Sequence, residues 1–168
     1  MLISNATLVL WGKPNQILPD HALYLDDGKI VAIGPDAELR SRYPNAALLN
    51  ARGQLALPGN ICAHTHFYSA FARGLSIPGA APENFSQILA KLWWPLDQSL
   101  TEEDIRYSAL LCLIDAIRHG TTTLIDHHAS PNAISGSLDI LADAVARSGL
   151  RSALCSVLTA LGRCDAEA

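Results

Sequence analysis

Short apolar runs separated by turn residues occupy the first fifty-odd positions of the chain, the pattern of strands packed on one face. "ATLVL" at residues 6–10 is one such strand. "HALYLDDGKIVAIG" at residues 21–34 reads as a hairpin that turns at Asp27-Gly28, between Tyr24-Leu25 and the run from Ile30 to Ile33. Two more apolar pieces flank Arg52-Gly53, and the β region stops at Pro58-Gly59. The pattern predicts a small β domain over residues 1–57.

The period then changes. "LPGNICAHTH" predicts a strand buried on both faces at its start, because Ile61 and Cys62 are adjacent apolar residues. Residues 67–99, with Gly74, Pro78, Gly79, Pro82 and Pro95, read as a long irregular connection, uncommon unless functional. Thr101 suits an N-cap with Asp104 three residues on, and Ile105, Ala109, Cys112, Leu113, Ala116 and Ile117 recur at helical spacing until Gly120. "TTTLID" is a β-branched strand that stops at His127-His128. A second helix is expected over residues 137–147, with Leu138, Leu141, Ala144 and Val145 on its buried face, and "RSALCSVL" supplies a further strand. This order is a βαβαβ array, which means parallel strands with helical crossovers.

Composition narrows the function classes. The 168 residues are 49% hydrophobic, enough for a real core and too apolar for disorder. Twelve basic residues against sixteen acidic ones give a net charge of −4 with no basic run, so a nucleic-acid partner is not expected and a small-molecule site is. The N-terminal "MLISNATLVLWGK" lacks a basic n-region and reads as a strand, and no stretch approaches the roughly 18 apolar residues of a membrane span. A cytoplasmic address without a membrane partner is the expectation. Cys62, Cys112, Cys155 and Cys164 are widely spaced without a CxxC pair, and read as reduced core cysteines.

Candidate chemistry gathers in two places. His64-Thr65-His66 and Asp126-His127-His128 both fall at the carboxyl ends of expected parallel strands, where such folds place their sites. Residues i and i+2 of a strand share a face, so His64 and His66 project together as a ready pair of metal ligands. A catalytic metal usually has three or more protein ligands. His127 or His128 could supply one; the other reading has His128 bonded within its loop and His127 lining the pocket without ligating. Asp126 could orient a histidine. Phe67, Tyr68, Phe71, Arg73, Trp93 and Trp94 offer aromatic faces and a cationic fork suited to a flat polar heterocycle, or else core and lid packing.

Taken together, "PGNICAHTHFYSAFARG", "LWWPLDQSL" and "IDHHASP" resemble the N-terminal part of the amidohydrolase superfamily, in its aminohydrolase and chlorohydrolase branch. Within that branch they are most similar to the SsnA-like aminohydrolases, with the 8-oxoguanine deaminase group next. The resemblance runs from Met1 to about Cys155. It implies a (β/α)8 TIM barrel with a small β-sandwich, and His64 and His66 as first-strand ligands of one divalent cation, zinc or alternatively iron. Tyr68, Arg73, Trp94, Asp126, His127 and His128 are then the residues to touch substrate or support the ligands. The implied reaction is hydrolysis of a non-peptide C–N bond, by deamination of an amino-heterocycle, with dechlorination or 8-oxoguanine-type deamination as alternatives.

The family pattern is met only in part. A complete barrel takes about 250 residues, and this chain ends after about the third expected barrel strand. The resemblance therefore divides it into residues 1–57 as part of the sandwich, residues 58–157 as the first three β/α units, and residues 158–168 as a tail unlike the family. The remaining ligands and the main acid/base residues are not in this sequence. An inactive or association-only fragment, forming a homo-oligomer through uncovered strand and helix faces, is the competing reading.

Overall fold

Asp27 and Gly28 both adopt positive φ, 46° and 70°, in the computed structural model, which describes residues 1–156. That is the geometry of a tight hairpin turn, and it joins β2 (Gln16–Asp26) to β3 (Lys29–Pro35) as the sequence predicts. β1 (Leu2–Leu10) runs antiparallel to β2 and parallel to both β4 (Leu48–Asn50) and β5 (Leu55–Ala56), giving one five-stranded sheet. Contacts divide the chain at Pro58, and this sheet makes up the first unit, Met1–Pro58. It also contains a helix that the pattern of strands concealed, α1 (Asp36–Arg42). Its signals are Asp36 and Glu38 in the first turn and Arg40 and Arg42 at the end, each sign matched to the helix dipole. Leu39 anchors it in a core with Leu2 and Ala22, and Tyr43 stacks on Tyr24 at 3.7 Å.

The second unit begins at Gly59 and is built on three parallel strands in the order β6 (Asn60–Thr65), β7 (Thr121–His128), β8 (Arg151–Ser156). The expected βαβαβ array is therefore present, as an open sheet among the described residues. Gly59 is required where the first strand enters, since a Cβ there would lie 2.9 Å from the Thr122 Cβ.

The segment expected to be irregular is largely helical. A 3-10 helix covers Phe67–Ala72, and a continuous helical stretch comprises α2 (Phe85–Ile88), a π turn (Leu89–Trp93) and α3 (Trp94–Ser99). The π turn has a physical cause. Pro95 lacks an N–H and its ring would crowd the carbonyl four residues back, so the preceding turn widens and Trp94 N–H bonds to Leu89 O.

The crossovers are α4 (Glu102–Arg118) and α5 (Ser137–Ser148). α4 starts with the predicted capping box, Thr101 N–H donating to Asp104 Oδ2 at 2.9 Å and Asp104 N–H donating to Thr101 Oγ1 at 3.3 Å. Ile105, Ala109, Leu113 and Ala116 bury one side of it against Phe67, Leu124 and Leu141. Each large side chain so buried contributes about 1.5–3 kcal/mol.

Three expected core positions are instead exposed. Ile61 is 68% exposed on the open face of the sheet, Ile117 is 50% exposed one position beyond the buried stripe of α4, and Leu138 sits 36% exposed at the rim of α5. α4 also carries a second apolar stripe, Tyr107, Leu111 and Ile114, about half-exposed. No helix among the described residues is long and apolar enough to cross a membrane. Cys164, the tail at residues 158–168 and the last two residues of the expected third strand lie outside the described residues.

Candidate metal centre

One extra residue in β6 decides where the histidines point. Its pairing with β7 slips between Cys62↔Leu124 and Thr65↔Asp126, three residues against two, which is a β-bulge. As a result Cys62 and Thr65 line one cavity while His64 and His66 line another. The two imidazoles stand with ring centres 5.0 Å apart and planes at 87°. His66 Nδ1 lies 2.6 Å from the main-chain oxygen of His127. A carbonyl only accepts, so Nδ1 carries the proton and the Nε2 lone pair of the neutral ring stays available.

The cavity has a volume of about 370 Å³ and gathers His64, His66, Tyr68, Trp94, Asp97 and His127. The Tyr68 ring meets Trp93 edge-on at 6.2 Å. Tyr68 is buried, which together with the neighbouring Asp97 charge and a hydrogen bond to that carboxylate pushes its hydroxyl pKa well up. Asp97 is 4% exposed and its Oδ1 has no partner among the described residues. Burial raises its pKa to about 6, against the opposing pull of the Tyr68 hydrogen bond and His66.

Asp97 was not singled out in the sequence. It sits in a helix that was read as loop, although Asn84 followed three residues later by Gln87 carries an N-cap signal, with Gln87 N–H donating to Asn84 Oδ1 at 3.0 Å.

The Asp-His-His run splits three ways. The His127 ring shares the cavity, 5.6 Å from His66. His128 faces the other side of the strand, fully buried, with Nε2 2.9 Å from Ser130 Oγ. Ser130 gives its proton to the Ala133 carbonyl, so His128 Nε2 is the donor and Nδ1 is left without a partner among the described residues. Burial lowers the His128 pKa to about 4. Asp126 is also fully buried; its Oδ1 accepts from Phe67 N–H at 2.7 Å, and Oδ2 has no partner among the described residues. Burial lifts the Asp126 pKa to about 6, opposed chiefly by the Phe67 amide and His66.

Arg73 does not join this group. It pairs with Asp115 at 3.0 Å and lines the separate cavity of about 280 Å³ with Cys62 and Thr65, because the 3-10 helix turns it away from the histidines. The fork and the aromatic faces therefore serve different surfaces.

Two neutral imidazoles with free nitrogens in one concave wall suit zinc or iron equally. Among the described residues, no group of three or more His, Cys, Asp or Glu side chains is placed to hold a metal ion. The donor set present is a pair.

Parallel strands with helical crossovers, and ionisable side chains gathered where the strands end, define a β/α enzyme fold. The model of the amidohydrolase family matches residues 55–168, and that of a bacterial imidazolonepropionase-like composite domain matches residues 22–46. The chain belongs to the amidohydrolase family. It is 29% identical over 161 residues to a 5-methylthioadenosine/S-adenosylhomocysteine deaminase of Moorella thermoacetica, across 96% of this chain and 35% of the relative. A mutant atrazine chlorohydrolase TrzN of Arthrobacter aurescens TC1, complexed with zinc and atraton, superposes with TM-score 0.74 at 26% identity, over 92% of this chain and 35% of that one. Guanine deaminase of E. coli shares the fold at TM-score 0.75 and 19% identity, over 92% and 37%. The chain thus spans about a third of the length of the relatives it matches.

Proposed function

We propose that this chain carries the first-strand half of a metal site in a hydrolase of non-peptide C–N bonds, an amino-heterocycle deaminase. The observation that carries the reading is the bond from His66 Nδ1 to the His127 carbonyl, which leaves Nε2 as a ligand beside His64. His64 and His66 would hold one divalent cation, zinc as in the TrzN complex, and the remaining donors come from outside this pair. The chemistry such a cation supplies when bound is Lewis acidity, which brings the pKa of water towards neutrality.

The chain's own residues supply the wall. Trp93 and Trp94 offer flat faces for a heterocycle, while Tyr68 and the unpartnered oxygen of Asp97 offer polar contacts to its edge. Names of the relatives favour a purine-derived substrate of the 5-methylthioadenosine, S-adenosylhomocysteine or guanine kind. Residues 1–57 then act as sandwich and residues 58–157 as the opening β/α units of the barrel.

Zinc titration by calorimetry tests the reading, with the His64→Ala/His66→Ala double variant beside the parent. Binding that the double variant abolishes is expected, and binding that it leaves unchanged overturns the assignment. Ammonia release from those three substrates by the zinc-loaded protein then tests the reaction.

A second reading, association of two copies, is favoured by the exposed stripe Tyr107, Leu111 and Ile114 on α4. Apolar residues in a contiguous exposed row point to contact with another polypeptide.

A further inference from the structure

β6 and β7 pair as far as Thr65↔Asp126, and then the first strand breaks into the 3-10 helix that starts at Phe67. His66 is the N-cap of that helix and provides no side-chain cap of its own. The Phe67 amide is therefore one of the donors that a helix start leaves without an internal partner. It is satisfied from the neighbouring strand by Asp126 Oδ1 at 2.7 Å, and a carboxylate is well placed at the positive end of a helix. One residue further along β7, the His127 carbonyl accepts from the His66 ring. Two consecutive residues of one strand thus grip two consecutive residues of the other. Only the Asp126 bond depends on a β7 side chain. The grip is stiff, because the Asp126 carboxylate and the Phe67 ring are both fully buried.

We propose that Asp126 is a positioning residue for the cation site: by capping the Phe67 amide it holds His66 in the single tautomer that presents Nε2 to the cavity. The proposal rests on the reading of His64 and His66 as ligands. Without the cap, the backbone between His66 and Phe67 is free to rotate and the ring can leave the His127 carbonyl. The carboxylate touches neither the cavity nor a substrate, so its influence passes through His66 alone. Support of this kind around a ligating imidazole is worth about 10–100-fold in metal affinity.

The test uses the whole chain, labelled with 15N and free of metal, with long-range 1H–15N correlation reading the His66 tautomer. In the parent, His66 is expected as the Nδ1–H form. Asp126→Leu fills much the same space without an acceptor, and it should give a mixture of tautomers and weaken zinc binding by about 10–100-fold. Asp126→Asn keeps an oxygen for the Phe67 amide and should restore both. A role in folding alone would lower the melting temperature in the leucine variant and leave the tautomer of the folded protein single, and that result overturns the proposal. If the leucine variant does not fold, the parent still decides: a scalar coupling across the hydrogen bond from Phe67 15N to the Asp126 carboxyl carbon is required, and its absence overturns the cap. Failure of the ligand reading is distinguishable, since it removes zinc binding from the parent and leaves the tautomer measurement intact.

Discussion

The imidazole of His66 and the main-chain oxygen of His127 meet 2.6 Å apart where β6 ends beside β7. Because the acceptor is backbone, the bond survives replacement of the His127 side chain. His127→Gln should bind zinc much as the parent does, whereas His66→Ala should weaken binding by about tenfold or more. Calorimetric titration of the two variants side by side checks this, and a loss in His127→Gln as large as that in His66→Ala would make His127 a ligand instead of a wall residue.

Burial of His128 links stability to acidity. Its folded pKa, about 4, lies below the ordinary value of 6.5, so the unfolded chain takes up this proton first as pH falls. The stabilisation is present above pH 6.5 and is lost between there and pH 4, to a total of about 3 kcal/mol. Asp97 and Asp126 act in the opposite sense, since their raised pKa values let the folded state bind protons near pH 6. Tyr68, edge-on to His128 at 5.8 Å, stays neutral throughout. The His128 contribution is isolated by comparing urea unfolding of the parent and His128→Asn from pH 7.5 to 4.5. The parent should lose ground relative to the variant as pH falls, and parallel curves would contradict the assignment.

Thr101 closes the capping box of α4, whose buried stripe faces the sheet that carries the histidines. Thr101→Ala should cost about 1 kcal/mol at pH 7, read from the urea midpoint, with zinc affinity unchanged.

The stripe of Tyr107, Leu111 and Ile114 bears on association. Leu111→Glu/Ile114→Glu should reduce concentration-dependent self-association in sedimentation velocity. Because both positions are half-exposed, each change should move unfolding stability by no more than about 0.5 kcal/mol. Equal association by parent and variant would exclude this face as the contact.

Local chemistry made the frame legible. Asp27-Gly28 can only turn, Thr101 and Asp104 announce a helix start, and the βαβαβ order forces parallel strands. The histidine pair was readable from its spacing, although the strand reaches it through a bulge that no pattern of alternation reveals. Burial read from hydrophobicity misled at Ile61 and Ile117, because an apolar residue cannot report whether a neighbour exists to cover it. Arg73 was misjudged for a related reason: six residues of 3-10 helix separate sequence proximity from spatial proximity. Asp97 escaped notice because the prolines around it argued for loop, whereas Pro95 is accommodated in a widened turn.

That widened turn sets the phase of everything after it. Where an α-helical bond would return four residues, Trp94 N–H returns five, to Leu89, so the stretch carries one residue more than a regular helix of the same advance. Each residue of an α-helix accounts for about 100° of rotation. Deleting one residue between Leu89 and Trp93 would therefore turn the Asp97 carboxylate about 100° away from the histidine cavity while leaving hydrophobicity and length nearly untouched. A chain with every side chain of this wall in its list could still present none of them to a ligand, and a single insertion or deletion here is worth more to specificity than most substitutions.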